Sequence, residues 1–330
     1  MRGLTVPLTL LVLVVLQLIT AAGCGEDGKS RYVLTAPLVH PYISAWQKGA
    51  EAAAEELGVE LVFLAPAEYS PQKQLEMTES ALSLPNVEGL TVMTGVPDIL
   101  EGTLKTAKAR GVATSQTGTC PLTGAADIYL STDFLKAGRA VADRLAKLLN
   151  GKGEVVIAFG SPDDKVHQTL LEGLKEYLAE NTPDIKIIGV LKDCDNPEGT
   201  VRGAETALAT YPTMNAYCGT GNLCVVGAAQ VFPKAGRNDI VVTGVDEAPE
   251  VLAGIRKGTI SFSYAQQPYG QGYLGVYIPW LMKHKGLKPT ERFIDTGIVF
   301  IDDSNVDTYG ATVRKSFEDL KKRVETKILK

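Results

Sequence analysis

The sequence predicts an α/β protein of two doubly wound parallel-sheet lobes. Three observations predict it. From Arg31 onward, short apolar runs alternate with amphipathic stretches, the rhythm of βαβ units. The apolar runs lack polar alternation, as strands covered by helices on both faces do. The alternation runs through two successive series without a short-period repeat. A chain of this length can hold two lobes with separate cores.

In the first series, residues 32–37 read as a strand. Residues 42–57 read as a helix that gathers Ile43, Trp46, Ala50, Ala53 and Ala54 on one face. A strand at 61–65, a helix at 72–84, a strand at 90–93, a helix at 99–109, and strands at 112–116 and 128–132 complete it. The second series opens with a helix at 133–149. Strands at 154–160, 185–191, 216–220, 240–246 and 260–266 then alternate with helices at 166–179, 200–211, up to Phe232, and 249–257. Residues 271–285 predict a long helix carrying Tyr273, Tyr277 and Trp280. The tail at 313–330 sets Phe317, Leu320, Val324 and Ile328 among charges, a surface helix packed by one stripe.

The first two dozen residues read as an export signal. Arg2 supplies the positive start, residues 6–19 the apolar run, and Ala21, Ala22 and Gly23 the small residues before cleavage. Cys24 directly after them resembles a lipobox, in which the thiol is lipidated and becomes the new N-terminus. Ala21 departs from the usual leucine of that motif. An ordinary signal peptide with a bystander cysteine, or a retained anchor, are the alternatives. Pro7, Thr9, Gln17 and Thr20 dilute the run against the ~20 apolar residues that a span needs. Every version places the remaining chain outside the cytoplasm. Residues 25–30 are a short polar stem.

The hydrophobic fraction of 45% and charged fraction of 22% are those of a globular protein. The formal net charge of −5 gives no basic face for nucleic acid. Beyond Cys24 stand Cys120, Cys194, Cys218 and Cys224, with no zinc spacing. An exported chain can keep disulfides, and a Cys218–Cys224 bridge or buried free thiols both fit.

Ligands of open α/β sheets collect beyond the carboxyl ends of strands. Those positions are His40 and Tyr42, Thr94 and Gly95, Gln116 and Thr117 in the first series. In the second they are Ser161 and Asp163, Asp193, Gly221 and Asn222, Asp246, and Gln266 and Gln267. Amides that donate and accept, a few carboxylates and a tyrosine face suit a neutral polyhydroxylated ligand. Catalysis is not expected. His40, His167 and His284 are scattered, and no nucleophile elbow, P-loop or dinucleotide fingerprint is present. Neither a metal nor a cofactor is called for.

The export signal, the βα repeats and the runs HPYISAWQKGAEAAAEELGV, VVTGVDEAPEVLAGIRKG and SFSYAQQPYGQGYLGV resemble the type 1 periplasmic, ribose-binding-like solute-binding proteins of bacterial ABC importers. The resemblance runs from about Arg31 to Tyr309. It implies two lobes joined by three crossings near Thr132, Gln266 and Asp295. The first lobe would hold residues 31–132 and 267–294, and the second 133–266 and 295–330 with the tail helix. Residues 1–23 would be the signal and 24–30 the tether. It implies ligand contacts from His40, Tyr42, Thr94, Gln116, Gln168, Gly221, Asp246 and Gln266, of which Asp246 and Gln266 match the family in kind. For Asp246 the competing role is a cap on the helix that starts at Pro249. Many sugar binders of this family place arginines where this chain has Thr117 and Gln168, and asparagines where it has His40 and Gly221. The ligand class therefore widens from a pentose or hexose to a polyol, a cyclitol or a furanone signal. Tyr69 is read as a loop end rather than a cleft rim. The implied partners are an ABC permease and, through the lipid on Cys24, the membrane, with the protein itself a monomer. A sensory receptor using the same cleft is the alternative, and a DNA-binding repressor is excluded because the export signal stands where its DNA-binding helices would be.

Overall fold

In a computed structural model of the chain, the described residues are 28–39, 41–94, 96–118 and 124–330. The expected leader, the expected lipidation site Cys24, and His40, Gly95 and Cys120 lie outside them.

Two six-stranded sheets form the two lobes. The first joins β1 (Arg31–Thr35), β2 (Glu60–Leu64), β3 (Val87–Met93), β4 (Ala113–Thr117), β5 (Ile128–Ser131) and β11 (Phe293–Asp295) in the order 11-5-4-3-1-2. All its pairings are parallel. The second joins β6 (Gly153–Ala158), β7 (Ile185–Leu191), β8 (Ala216–Gly219), β9 (Val241–Thr243), β10 (Phe262–Ala265) and β12 (Val299–Asp302) in the order 12-10-9-8-6-7. Here β12 is an antiparallel edge. Strands β11 and β12 are absent from the sequence-based expectations. They hold three and four residues and have no helix between them, so neither length nor alternation marks them.

Helix starts are written in the sequence. Ser70, Asp133, Asp164 and Asn196 accept backbone N–H bonds at the starts of helices α2 (Pro71–Ala81), α4 (Phe134–Leu148), α5 (Lys165–Asn181) and α6 (Pro197–Thr210). Proline stands in the first turn of α2, of α6, of α8 (Pro249–Arg256) and of α9 (Pro268–Lys285).

Each sheet is covered on both faces. In the first lobe, helix α1 (Pro41–Leu57) and α9 bury Trp46, Ala50, Leu274 and Ile278 over one face, while Leu90, Val92, Leu100 and Leu104 fill the other. In the second lobe, α4 and α5 bury Val141, Leu145, Leu170 and Leu174 on one face, and Tyr217, Phe232 and Val251 fill the other. The paired helices touch through glycine in both lobes. A Cβ on Gly49 would lie 1.9 Å from Tyr269 O, and one on Gly272 1.8 Å from Trp46 O. In the second lobe a Cβ on Gly138 would lie 2.1 Å from Leu170 O, and one on Gly173 2.1 Å from Leu135 O. These helix backbones approach more closely than any side chain at the four glycines would permit.

The chain passes between the sheets three times: between Ser131 and Phe134, between Ala265 and Pro268, and between Asp295 and Val299. The passages bond to one another. Asp133 N–H donates to Asp295 Oδ1 at 3.1 Å and Thr132 Oγ1 to Gln266 Oε1 at 3.5 Å, while Gln271 in the first turn of α9 donates through Nε2 to Thr296 Oγ1 at 3.2 Å.

The tail, expected with the second lobe, straddles both. Helix α10 (Tyr309–Arg323) starts with Tyr309 and Val313 against the second-lobe core. It ends with Phe317, Leu320 and, past its end, Val324 and Ile328 buried in the first. Lys321 on its last turn fastens it to the first lobe, bonding Glu56 at 3.0 Å and lying 4.7 Å over the Tyr273 ring. Cys194, Cys218 and Cys224 are buried free thiols, and burial pushes Cys218 up to about 11. That answers the disulfide question for these three by packing: they serve as small apolar residues.

Candidate functional site

A cleft of about 610 Å³ lies between the lobes. The first lobe contributes Pro37, Leu38, Tyr42, Ile43, Tyr69, Met93, Thr94 and Gly118. The second contributes Phe134, Ser161, the run Asp163 to His167, Asp195, Thr220 to Asn222, Val245 and Asp246, and the hinge adds Gln266. One wall is apolar and aromatic; the other is dense in carboxylates.

Asp246 stands at the hinge end. Its backbone takes a left-handed φ of 61° just past β9, a conformation aspartate tolerates better than most residues. The turn is tied down by Ser263 Oγ donating to Asp246 O at 2.7 Å. Gln266 Nε2 donates to Asp246 Oδ1 at 2.7 Å. The helix at Pro249 is capped at Ala248 without a side-chain bond, so Asp246 faces the cleft and is not a cap. Burial first, and then Glu247 and Asp195 nearby, push its carboxyl up to about 6 against the relief from Gln266. Tyr42 looks at it from the other lobe. The Tyr42 hydroxyl donates to Gln271 Oε1 at 3.2 Å, and burial, with Asp246 adding to it, raises that phenol.

His167 forms the floor of the second-lobe wall. Its Nδ1 lies 3.0 Å from Thr220 Oγ1, which also accepts Gly160 N–H at 3.0 Å. Its Nε2 lies 3.8 Å from Asp164 Oδ2 and 3.9 Å from Asp195 Oδ2. Asp195 Oδ1 accepts the Leu223 N–H at 2.6 Å. Gly221 makes this possible: a Cβ there would lie 2.4 Å from Asp195 Oδ2 and 2.7 Å from His167 Cε1.

The expected site residues therefore divide. Tyr42, Thr94, Gly221, Asp246 and Gln266 line one cleft. The Thr94 hydroxyl is turned onto its own loop, donating to Val96 O at 3.0 Å. Gln168 and Gln116 are not in the lining. Gln168 is turned back onto its own chain, its Nε2 donating to Pro162 O at 2.5 Å and its Oε1 accepting from Lys165 at 3.0 Å. Gln116 is buried within β4, which runs on to Thr117, so Gly118 is the residue that reaches the cleft. Neither Gln116 amide atom has a partner among the described residues. Tyr69, expected as a loop end, lies on the rim. His167 and Asp195 were not selected by sequence. His167 falls on the stripe His167, Leu170, Leu171, Leu174 and Leu178 that α5 buries, and that stripe is readable at helical spacing. Asp195 follows the exposed Asp193, and nothing in the sequence separates the two. Among the described residues, no group of three His, Cys, Asp or Glu side chains could hold a metal ion.

The family model of the periplasmic binding protein domain matches residues 32–285. The chain is 24% identical to the D-apiose import binding protein of Actinobacillus succinogenes over 86% of this chain and 88% of that one. It is 21% identical to the ribose import binding protein RbsB of Escherichia coli over 74% and 81%. Among solved structures it is similar to a sugar-binding protein of a sugar ABC transporter from Bacillus halodurans. That match has a TM-score of 0.79 and 26% identity, over 86% of this chain and all of that one. A solute-binding protein from Burkholderia graminis, solved with D-arabinose, shares the fold at a TM-score of 0.75 and 24% identity, over 85% and 97% of the two chains. With two lobes, three crossings and a cleft between them, this chain belongs to the periplasmic binding protein family.

Proposed function

We propose that this protein is the extracytoplasmic solute-binding component of an ABC importer, which captures a small polyhydroxylated ligand of the sugar class and hands it to the permease without altering it. The observation that carries the reading is a single cleft to which both lobes and the hinge residue Gln266 contribute. A ligand there touches both walls only when the lobes approach. Binding thus shifts the population toward a closed form, and the closed pair of lobes is the surface a permease recognises. The curated relatives named as import binding proteins for D-apiose and ribose support the sugar class. Capture without turnover agrees with a family of binding proteins. The lipid on Cys24 would keep the protein beside the permease, and one molecule would serve one ligand.

A thermal-shift screen of the purified protein against pentoses, hexoses, polyols and cyclitols, with their amino derivatives, tests the capture. A ligand at a hundred times its Kd raises stability by about 2.7 kcal/mol, a shift plain in any melt. No shift across the panel would refute the reading. Metabolic labelling with a radioactive fatty acid, compared between the wild type and Cys24→Ala, tests the anchor.

A further inference from the structure

Resting on the cleft as the ligand site, we infer that its ligand carries an ammonium group beside its hydroxyls: an amino sugar, an aminocyclitol or an amino polyol rather than a neutral sugar. The expectation from sequence was a neutral guest, drawn from residue types one by one. Their assembly gives a different charge. Asp163, Asp164, Asp195 and Asp246 all line the cleft, against the single ammonium of Lys165. Lys165 lies on the exposed side of its helix and is engaged with Gln168 Oε1 at 3.0 Å. None of residues 40, 95 and 119–123 is lysine or arginine, so no lysine or arginine among them balances the set.

The two inner carboxylates are fixed for a donor. Asp195 is pinned by the Leu223 N–H through Oδ1, and its Oδ2 sits 3.9 Å from the nearest imidazole nitrogen, beyond hydrogen-bond reach. Asp246 is held through Oδ1 by a neutral amide, and among the described residues no lysine or arginine pairs with it. The two are close enough for Asp195 to add to the burial that raises Asp246. A further acceptor, Asn222 Oδ1, is buried in the same wall with no partner among the described residues. Opposite stand the rings of Tyr42 and Tyr69, whose faces attract a cation as well as C–H groups. The carboxylates do not converge as a metal site. Asp164 and Asp195 flank the His167 ring, and Asp246 stands at the hinge end beside Gln266.

Closure strips water from this wall. Hydroxyl donors satisfy the lone pairs of a carboxylate but leave its charge uncompensated, and a buried charge needs a counter-charge. An ammonium between Asp195 and Asp246 supplies both three donors and the charge.

Calorimetry at pH 7.5 and low salt with matched pairs tests this: D-glucosamine with D-glucose, D-galactosamine with D-galactose, an amino-deoxy-inositol with myo-inositol, and the N-acetyl form of each amine. At least one amine is expected to bind at least tenfold tighter than its neutral partner. Acetylation, which keeps the nitrogen and removes the charge, should erase that advantage. The double substitution Asp195→Asn with Asp246→Asn should shrink it below threefold. A neutral member that binds as tightly as its amine overturns the inference and leaves the cleft as a sugar site. An advantage that survives the double substitution overturns the assignment to these carboxylates. Saturable binding by neither class overturns the underlying reading of the cleft, and the inference with it.

Discussion

Asp246→Asn should make the empty protein more stable. The native carboxyl is pushed up to about 6 from an ordinary value of 3.8 because it is desolvated and faces Glu247 and Asp195. The folded state therefore holds its proton more tightly than the unfolded state does. Below the unfolded pKa both states are protonated and nothing is lost. As pH rises through the window from about 4 to about 6, the unfolded chain releases the proton first, and stability falls. Above the window the loss is complete, at up to about 3 kcal/mol for a shift of this size. Asparagine keeps the shape and still accepts the Gln266 bond through its carbonyl, but carries no charge. Ligand-free urea unfolding, followed by fluorescence at several pH values from 4 to 8, should show the variant more stable by about 1–3 kcal/mol at pH 8. The gap should close toward pH 4. A melt at pH 8 should rise by several degrees, at roughly 2–4 °C per kcal/mol for a chain of this order of size. A variant no more stable at pH 8, or a gap of equal size at pH 4, would refute the claim that Asp246 is held charged at a cost to the fold.

Three further outcomes follow from the same geometry. Asp246→Ala removes the carboxylate and takes the acceptor from Gln266 Nε2; ligand affinity should fall roughly tenfold to a hundredfold by calorimetry while circular dichroism stays native. Gly221→Ala would put a methyl 2.4 Å from Asp195 Oδ2; the carboxylate and the His167 ring must give way, so affinity should drop about tenfold or more with a much smaller change in melting temperature. Gly272→Ala would drive a methyl into the Trp46 carbonyl, 1.8 Å away; backbone cannot yield as a side chain can, and urea unfolding should show a loss on the order of 3 kcal/mol.

Most of the fold was legible because its strands and helices carry strong periodic signals. The helix at Pro41–Leu57 follows from Trp46, Ala50, Ala53 and Ala54 at helical spacing, all of which are buried. The strand Ile185–Leu191 matches its apolar run residue for residue. The elements that escaped are short and set by tertiary pairing. Phe293–Asp295 exists because it adds to Ile128–Ser131 at the sheet edge, and Val299–Asp302 because it runs back along Phe262–Ala265. No window of sequence contains those partners. The tail shows the same limit. Its apolar stripe is visible in sequence, but the stripe does not say which core it enters; Phe317 and Leu320 enter the first lobe while Val313 stays on the second.

The site was legible at a coarser grain, and the reason is geometric. Reading residues that follow strands picked out Tyr42, Gly221, Asp246 and Gln266, which line the cleft, because the carboxyl ends of their strands face it. The family resemblance, which supplied Gln168, missed by one position along a helix, since a step of one residue turns a side chain by about 100°. That turn exchanges Gln168, bonded back to Pro162 O, for His167, which faces the cleft. Reading strand ends missed at Gln116 because the strand ends one residue later than expected, at Thr117. Charge was the hardest property to read. Asp163, Asp164, Asp195 and Asp246 lie on three different loops, each in ordinary polar surroundings when taken in sequence order. Only the fold brings them onto one wall without a guanidinium to answer them. A cleft's electrostatics belong to the set of loops that meet there, so the ligand's charge is a property of topology and its hydroxyl pattern a property of single residues.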